Sequence, residues 1–193
     1  MSGGNRVRGG RNGGARLAAL ALMAAIAVAA PGLTGCQGAR SGGAAAGAAA
    51  ARGQEGAALP QFELTALDGT HLTRDSLRGR IVIVDFWDTW CGPCLRALPH
   101  LKAISADHPE VVVVGIAMGQ EGEAKVRQTV ANLGLAFPVC LLPAQGDLVP
   151  AFGDIDALPT TFLVDPDGVI RRRWVGAQSP STYGNAVKGL QAS

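Results

Sequence analysis

The sequence predicts an α/β domain in which a central mixed β-sheet is flanked by helices, with an N-terminal β-hairpin and a central αβ insertion. Three observations carry this. Ile81 to Trp87 and Val111 to Ala117 are β-branched runs with almost no polar alternation, as expected of strands covered on both faces. Each is followed by a stretch with helical spacing, which makes a βαβα alternation. The chain then closes with two strands joined by the turn Asp165-Pro166-Asp167-Gly168, and with a last helix.

Taken in order, Phe62, Leu64 and Ala66 alternate up to the turn Asp68-Gly69, and Thr70 to Thr73 returns as the second strand of a hairpin. Arg80 closes a turn before the strand Ile81 to Trp87. A helix is expected from about Cys91 to Ser105, bent at Pro99, which lacks a backbone donor. After the strand Val111 to Ala117, residues Glu121 to Leu133 read as a helix stopped by Gly134. Phe137 to Leu142 is a further strand, and Asp147 to Phe152 a loop with a short helix. Thr161 to Val164 and Val169 to Val175 form the closing hairpin. Ser179 caps the final helix, with Pro180 at its first position, and this helix runs to about Leu190.

The first 58 residues stand apart from this domain. Arg6, Arg8, Arg11 and Arg16 precede an apolar run, Leu17 to Ala30, that is too short to span a bilayer comfortably and reads as an export signal. Its end, Leu33-Thr34-Gly35-Cys36, resembles the lipobox of bacterial lipoproteins, in which cleavage before the cysteine leaves that residue to carry acyl chains. The resemblance implies a signal peptide over 1–35, lipidation of Cys36, and a mature chain tied to a bacterial membrane on its extracytoplasmic side. Residues 36–58 are rich in Gly and Ala, with almost no large apolar side chain, so they cannot offset the entropy of ordering and are expected to be a flexible tether. The domain is then 59–193, and with 48% hydrophobic residues in the chain it has material for one core.

Charge excludes one function class. Residues 1–35 hold four arginines and no acid, so the 17 basic and 15 acidic residues of the chain become 13 and 15 beyond them. The basic balance of the whole chain is therefore no evidence for nucleic-acid binding, which needs a basic patch on the folded domain. Arg171, Arg172 and Arg173 are the only cluster, and on a strand they alternate between faces, as befits a solvated edge.

Of the four cysteines, Cys36 is assigned to lipid and Cys140 falls on a predicted buried strand, where a cysteine acts as a small hydrophobe. Cys91 and Cys94 remain, in Trp90-Cys91-Gly92-Pro93-Cys94, where a strand ends and a helix begins. First-turn amides and the helix dipole favour an anion there, so Cys91 is expected to be the nucleophile. Spacing by three residues puts Cys94 on the same helical face, within reach of a Cys91–Cys94 disulfide and placed to resolve a mixed one. A zinc half-site is the competing reading. It needs a second ligand pair, and His71, His100, His108 and Cys140 offer none, so no metal and no cofactor beyond the cysteine pair is expected.

The stretch Val84-Asp85-Phe86-Trp87-Asp88-Thr89-Trp90-Cys91-Gly92-Pro93-Cys94, with Pro99 and with Leu158-Pro159-Thr160-Thr161-Phe162-Leu163-Val164-Asp165, resembles the thioredoxin superfamily. The leading hairpin, the insertion around Glu121 to Val139 and the export signal resemble its TlpA/ResA-like branch of membrane-tethered reductases. The resemblance implies a thioredoxin-like fold and a thiol–disulfide oxidoreductase, an enzyme that reduces disulfides of envelope proteins, for instance in cytochrome c maturation. An upstream membrane thiol donor would supply its electrons. Pro159 matches the family's cis-proline, and Trp90, Gly92, Pro93, Leu158 and Thr160 are the implied substrate surface.

Two positions depart from the branch, which carries a glutamate three residues after the second cysteine and an asparagine six before the first. Here those positions are Ala97 and Asp85. Asp85, on a buried strand, is therefore the candidate base for the Cys94 proton, with a raised pKa, whereas Asp88 is placed in an exposed turn. Trp87 is either core or part of the site. Three other readings stay open. A peroxiredoxin-type thiol peroxidase would need a Pro and Thr arrangement that is absent. A Sco-like copper-delivery module would need a histidine beyond the helix. A redox-inert docking module sits poorly with an intact Cys91 and Cys94. The Gly92-Pro93 dipeptide resembles thioredoxin, at roughly −270 mV among the reducing members of the class.

Overall fold

The computed structural model describes residues 53–144 and 146–192. The expected signal peptide, the lipidation site Cys36 and the tether up to residue 52 lie outside the described residues.

β1 (Glu63–Thr65) and β2 (His71–Thr73) pair antiparallel across a turn in which Gly69 takes φ 88° and Asp68 accepts the Thr70 N–H. A 3-10 turn at Asp75–Leu77 leads into β3 (Ile81–Trp87). It is followed by α1 (Gly92–Asp107), β4 (Val111–Ala117), α2 (Glu123–Leu133), β5 (Val139–Leu141) and the single turn α3 (Leu148–Ala151). β6 (Thr160–Val164), β7 (Ile170–Val175) and α4 (Pro180–Gln191) complete the chain. The main sheet has the order β5-β4-β3-β6-β7. β3, β4 and β5 run parallel, and β6 joins β3 antiparallel, so the sheet is mixed as expected. The hairpin attaches at the β5 edge, where Ala66 bridges Cys140 and the Leu67 N–H donates to the Val139 carbonyl at 2.8 Å.

Side chains alternate across β3, and the two faces bury separate clusters. Ile81, Ile83 and Trp87 pack with Cys91, Cys94, Leu98 and Leu101 of α1, Val126 of α2, and Tyr183 and Val187 of α4. Val82, Val84 and Phe86 pack on the opposite side with the hairpin, and with Phe152 and Phe162, whose rings meet Phe86 edge-on at 5.0 and 6.0 Å. All seven residues of β3 are buried.

Three differences from expectation have physical causes. The tether gives way to folded structure before residue 59. The Gly56 N–H donates to the Ile170 carbonyl, Ala58 bridges Val169, and Glu55 pairs with Arg172. These contacts are made mostly by backbone, which composition does not reveal. The second insertion helix begins at Glu123 rather than Glu121, because Gly122 at φ 87° breaks the helical backbone. The arginine cluster does lie on an edge strand, but its members are engaged. Arg171 pairs with Asp165 at 2.6 Å, and Arg173 stacks over Phe162.

Candidate active site

β3 delivers its last residue, Trp87, to the end of the sheet where the chain turns through Asp88, Thr89 and Trp90 into α1. Cys91 is the N-cap of α1, with Pro93 in its first turn. In place of the usual oxygen, its sulfur accepts the Cys94 N–H at 3.2 Å. Cys91 and Cys94 are joined by a disulfide, with Cα atoms 5.2 Å apart. Cys94 is fully buried and Cys91 is 3% exposed, whereas Gly92 and Pro93 are exposed and Trp90 is 55% exposed. The pair therefore sits just under the surface, beside an apolar ring open to solvent.

The second chain segment expected at this site begins β6. The Leu158–Pro159 peptide is cis. The Pro159 carbonyl accepts the Gly176 N–H, and the Thr160 hydroxyl donates to the Ala157 carbonyl, which closes the loop on itself. Pairing of Phe86 with Thr160 sets this loop at the same end of the sheet as Trp87. The structure thus brings Cys91, Cys94, Trp90, Gly92, Pro93, Leu158, Pro159 and Thr160 to one end of the domain.

Asp85 lies on the face of β3 that carries Ile83, Trp87 and the two cysteines. It is fully buried. One carboxylate oxygen, Oδ1, accepts from the Thr161 hydroxyl at 2.7 Å, and Oδ2 has no partner among the described residues. Burial raises its pKa to about 7, against the lowering effect of the Thr161 bond. Opposite it in β4 stands Gly115, where a Cβ would come within 3.2 Å of the Trp87 indole nitrogen. Trp87 is wholly buried, which makes it core, and that nitrogen too lacks a partner among the described residues.

Asp88 is the clearest correction. Far from an exposed turn, it is fully buried, and its carboxylate gathers donors from two segments. Oδ1 accepts the Thr89 N–H at 2.7 Å, while Oδ2 accepts the Trp90 indole N–H at 3.0 Å and the Gln120 N–H at 3.2 Å. The Thr89 hydroxyl meets Glu121 at 2.5 Å. The insertion between β4 and α2 is thereby tied to the active-site turn. Sequence reasoning missed this because Gln120 and Glu121 lie about thirty positions away and carry no motif. The only local signal is an aspartate in the turn before a helix, a residue type whose carboxylate readily accepts nearby backbone N–H groups.

Cys140 is buried on β5, and burial pushes its thiol up to about 11, as suits a core residue. Among the described residues no group of three or more His, Cys, Asp and Glu side chains is placed to hold a metal ion. The arrangement can perform one kind of chemistry directly: exchange of a disulfide between the Cys91 sulfur, at the positive end of a helix, and an incoming sulfur.

The raised Asp85 pKa has a consequence for stability. Between about pH 4 and about pH 7 the folded protein keeps a proton that the unfolded chain has lost, so stability falls as pH rises through this window. The loss amounts to about 4 kcal/mol by linkage. Asp85→Asn removes it. Urea midpoints of the oxidised variant should rise relative to wild type as pH goes from about 4 to 7, and run parallel above that. A constant offset across the window would show an ordinary carboxyl.

The comparisons agree with this geometry. A family model described as Redoxin matches residues 54–189. The thiol-disulfide oxidoreductase ResA of Bacillus thuringiensis (strain Al Hakam) is 33% identical over 138 residues, which cover 71% of this chain and 79% of that protein. A thiol:disulfide interchange protein of the thioredoxin family from Chlorobium tepidum TLS superposes with a TM-score of 0.63 and 28% identity, over 69% of this chain and 94% of that one. The exposed lipoprotein thioredoxin of Streptococcus pneumoniae strain TIGR4 does so with a TM-score of 0.60 and 26% identity, over 67% and 99%. With a thioredoxin-like fold, a Cys-Gly-Pro-Cys pair at the head of α1 and these relatives, the chain belongs to the redoxin family and is a thiol–disulfide oxidoreductase.

Proposed function

We propose that the protein is a lipid-anchored reductase that donates electrons to disulfides of envelope proteins. The observation that carries this is the Cys91 sulfur capping α1 and accepting the Cys94 N–H, a setting that favours a thiolate at Cys91 once the pair is reduced. The Cys91 thiolate attacks a substrate disulfide, and one substrate sulfur leaves as thiolate. Cys94 then gives its proton to Asp85 and attacks the Cys91 sulfur. The mixed disulfide breaks, the second substrate sulfur is released, and the Cys91–Cys94 bond remains. Two electrons have moved to the substrate, and a membrane thiol donor restores the dithiol. No cofactor takes part.

The exposed Trp90 and Pro93, with half-buried Leu158, supply the surface against which a substrate strand lies, over the buried cis-Pro159 and Thr160. Maturation of cytochrome c is one task that suits a reductase of this branch. Anchoring through Cys36 rests on the lipobox and on the likeness to a protein named as an exposed lipoprotein thioredoxin. No helix among the described residues is long and apolar enough to cross a membrane.

Single-cysteine variants test the order of attack. Cys94→Ser should hold substrates as mixed disulfides through Cys91, and Cys91→Ser should hold none; equal trapping by both would reverse or dissolve the assignment. Direction is tested by equilibrating the Cys91–Cys94 couple with a thiol buffer. A potential near roughly −270 mV supports reduction, while one near roughly −120 mV makes the protein an oxidant. Mass spectrometry of the native N-terminus should find acylated Cys36, and an unmodified product starting elsewhere would refute the anchor.

A further inference from the structure

We propose that Tyr183 and Thr161 form a directed relay of two hydroxyls that saturates Asp85 Oδ1 and leaves Oδ2 as the oxygen that takes the Cys94 proton. Both are thus positioning residues for the resolving step. The inference rests on the reading of Asp85 as the base.

It follows from counting protons. Ionised Asp85 can only accept, so at 2.7 Å the Thr161 hydroxyl must donate to Oδ1 and has no second proton to give. The 3.3 Å contact between Thr161 and Tyr183 can then be made in one sense only, with Tyr183 donating to the Thr161 oxygen. Each link points at Asp85. The three side chains are fully buried, which excludes bulk water as a competing partner.

The surroundings leave the relay as the main compensating influence on the carboxylate. β4 puts Gly115 opposite Asp85, β6 supplies Thr161, and α4 supplies Tyr183. α1 brings Cys91 and Cys94 to the same face, and its His100 reaches the Gln178 carbonyl at 3.3 Å. Among the described residues, burial and the Thr161 hydroxyl are what shift Asp85. With Oδ1 occupied and Oδ2 unpartnered, the lone pair available to an incoming proton is on Oδ2. When the Cys94 S–H bond breaks, its proton goes to that oxygen and its electron pair forms the bond to the Cys91 sulfur.

The test uses full-length protein carrying Thr161→Val, Thr161→Ser, Tyr183→Phe or Asp85→Asn, with two readouts. One is the pH profile of mixed-disulfide resolution with a model disulfide. The other is direct titration of the Asp85 carboxyl by isotope-edited infrared spectroscopy, which needs no turnover. Loss of a hydrogen bond to the charged form raises an acid's pKa, so Thr161→Val should move both midpoints upward by about one pH unit. Tyr183→Phe should move them in the same direction by less, and Thr161→Ser should restore the wild-type midpoint. Tyr183→Phe, which removes a single oxygen, keeps the test decisive if Thr161→Val folds poorly. An unmoved carboxyl midpoint in Tyr183→Phe, or in folded Thr161→Val, overturns the relay. If the carboxyl moves but resolution in Asp85→Asn matches wild type at every pH, the relay stands as structure and the role of Asp85 as base is refuted.

Discussion

β3 is paired on both edges and covered on both faces, so a polar side chain on it has to be satisfied inside the protein or left short. Asp85 is left short, since one of its oxygens has a partner and the other has none among the described residues. A carboxyl in that position resists ionising, and its pKa moves to where a proton can be taken up and given back near neutral pH. Replacing it with an apolar residue would relieve the strain on the fold, as removal of buried charge often does. That the chain carries the cost on its central strand, directly before the cysteine pair, is the strongest sign that the carboxyl serves chemistry.

The same strand organises the rest of the site. Its alternation sends Ile83, Asp85 and Trp87 to the side where α1 and α4 pack, and Val84 and Phe86 to the side of the hairpin and Phe152. The disulfide, its candidate base and Tyr183 thereby share one face, while the Phe86, Phe152 and Phe162 rings lie on the other. A shift of one residue in the pairing of β3 with β6 would exchange these sets. Thr161 would then no longer face Asp85, and the cis-Pro159 loop would no longer meet the head of α1. Register is therefore a functional parameter here as much as a structural one.

What the sequence made legible follows from the range of each signal. Strands Ile81–Trp87 and Val111–Ala117 were read at their full extent, because a doubly covered strand writes its burial into every residue. The helix cap at Ser179 and the stop at Gly134 were equally local, and Ser179 does accept the Thr182 N–H. The placement of Cys91 and Cys94 at a strand-to-helix junction is a local signal, whereas Asp85 stands out through the resemblance to the thioredoxin superfamily. Contacts between distant segments were not legible. Asp88 was misplaced because its partners Trp90 and Gln120 come together only when the insertion packs on the active-site turn. The domain begins ahead of residue 59 because Gly56 to Ala58 pair through the backbone with Val169 and Ile170, which a Gly and Ala composition conceals.

Asp85 and Asp88 stand three positions apart at the end of one strand, are both fully buried, and have opposite coordination. The Asp88 carboxylate is occupied by donors from Thr89, Trp90 and Gln120, so it works as a joint, holding the exposed indole and the β4–α2 loop against the cysteine turn. A joint of this kind loses its function if it changes partners during a reaction cycle. Asp85 has the reverse property, with one oxygen fixed and one open. The fixed oxygen orients the carboxyl, and the open one is free to exchange a proton without disturbing any contact around it. Burial alone does not separate the two aspartates. The number of donors around each one does: it makes Asp88 a fixed joint and supports the proposed use of Asp85 as the base.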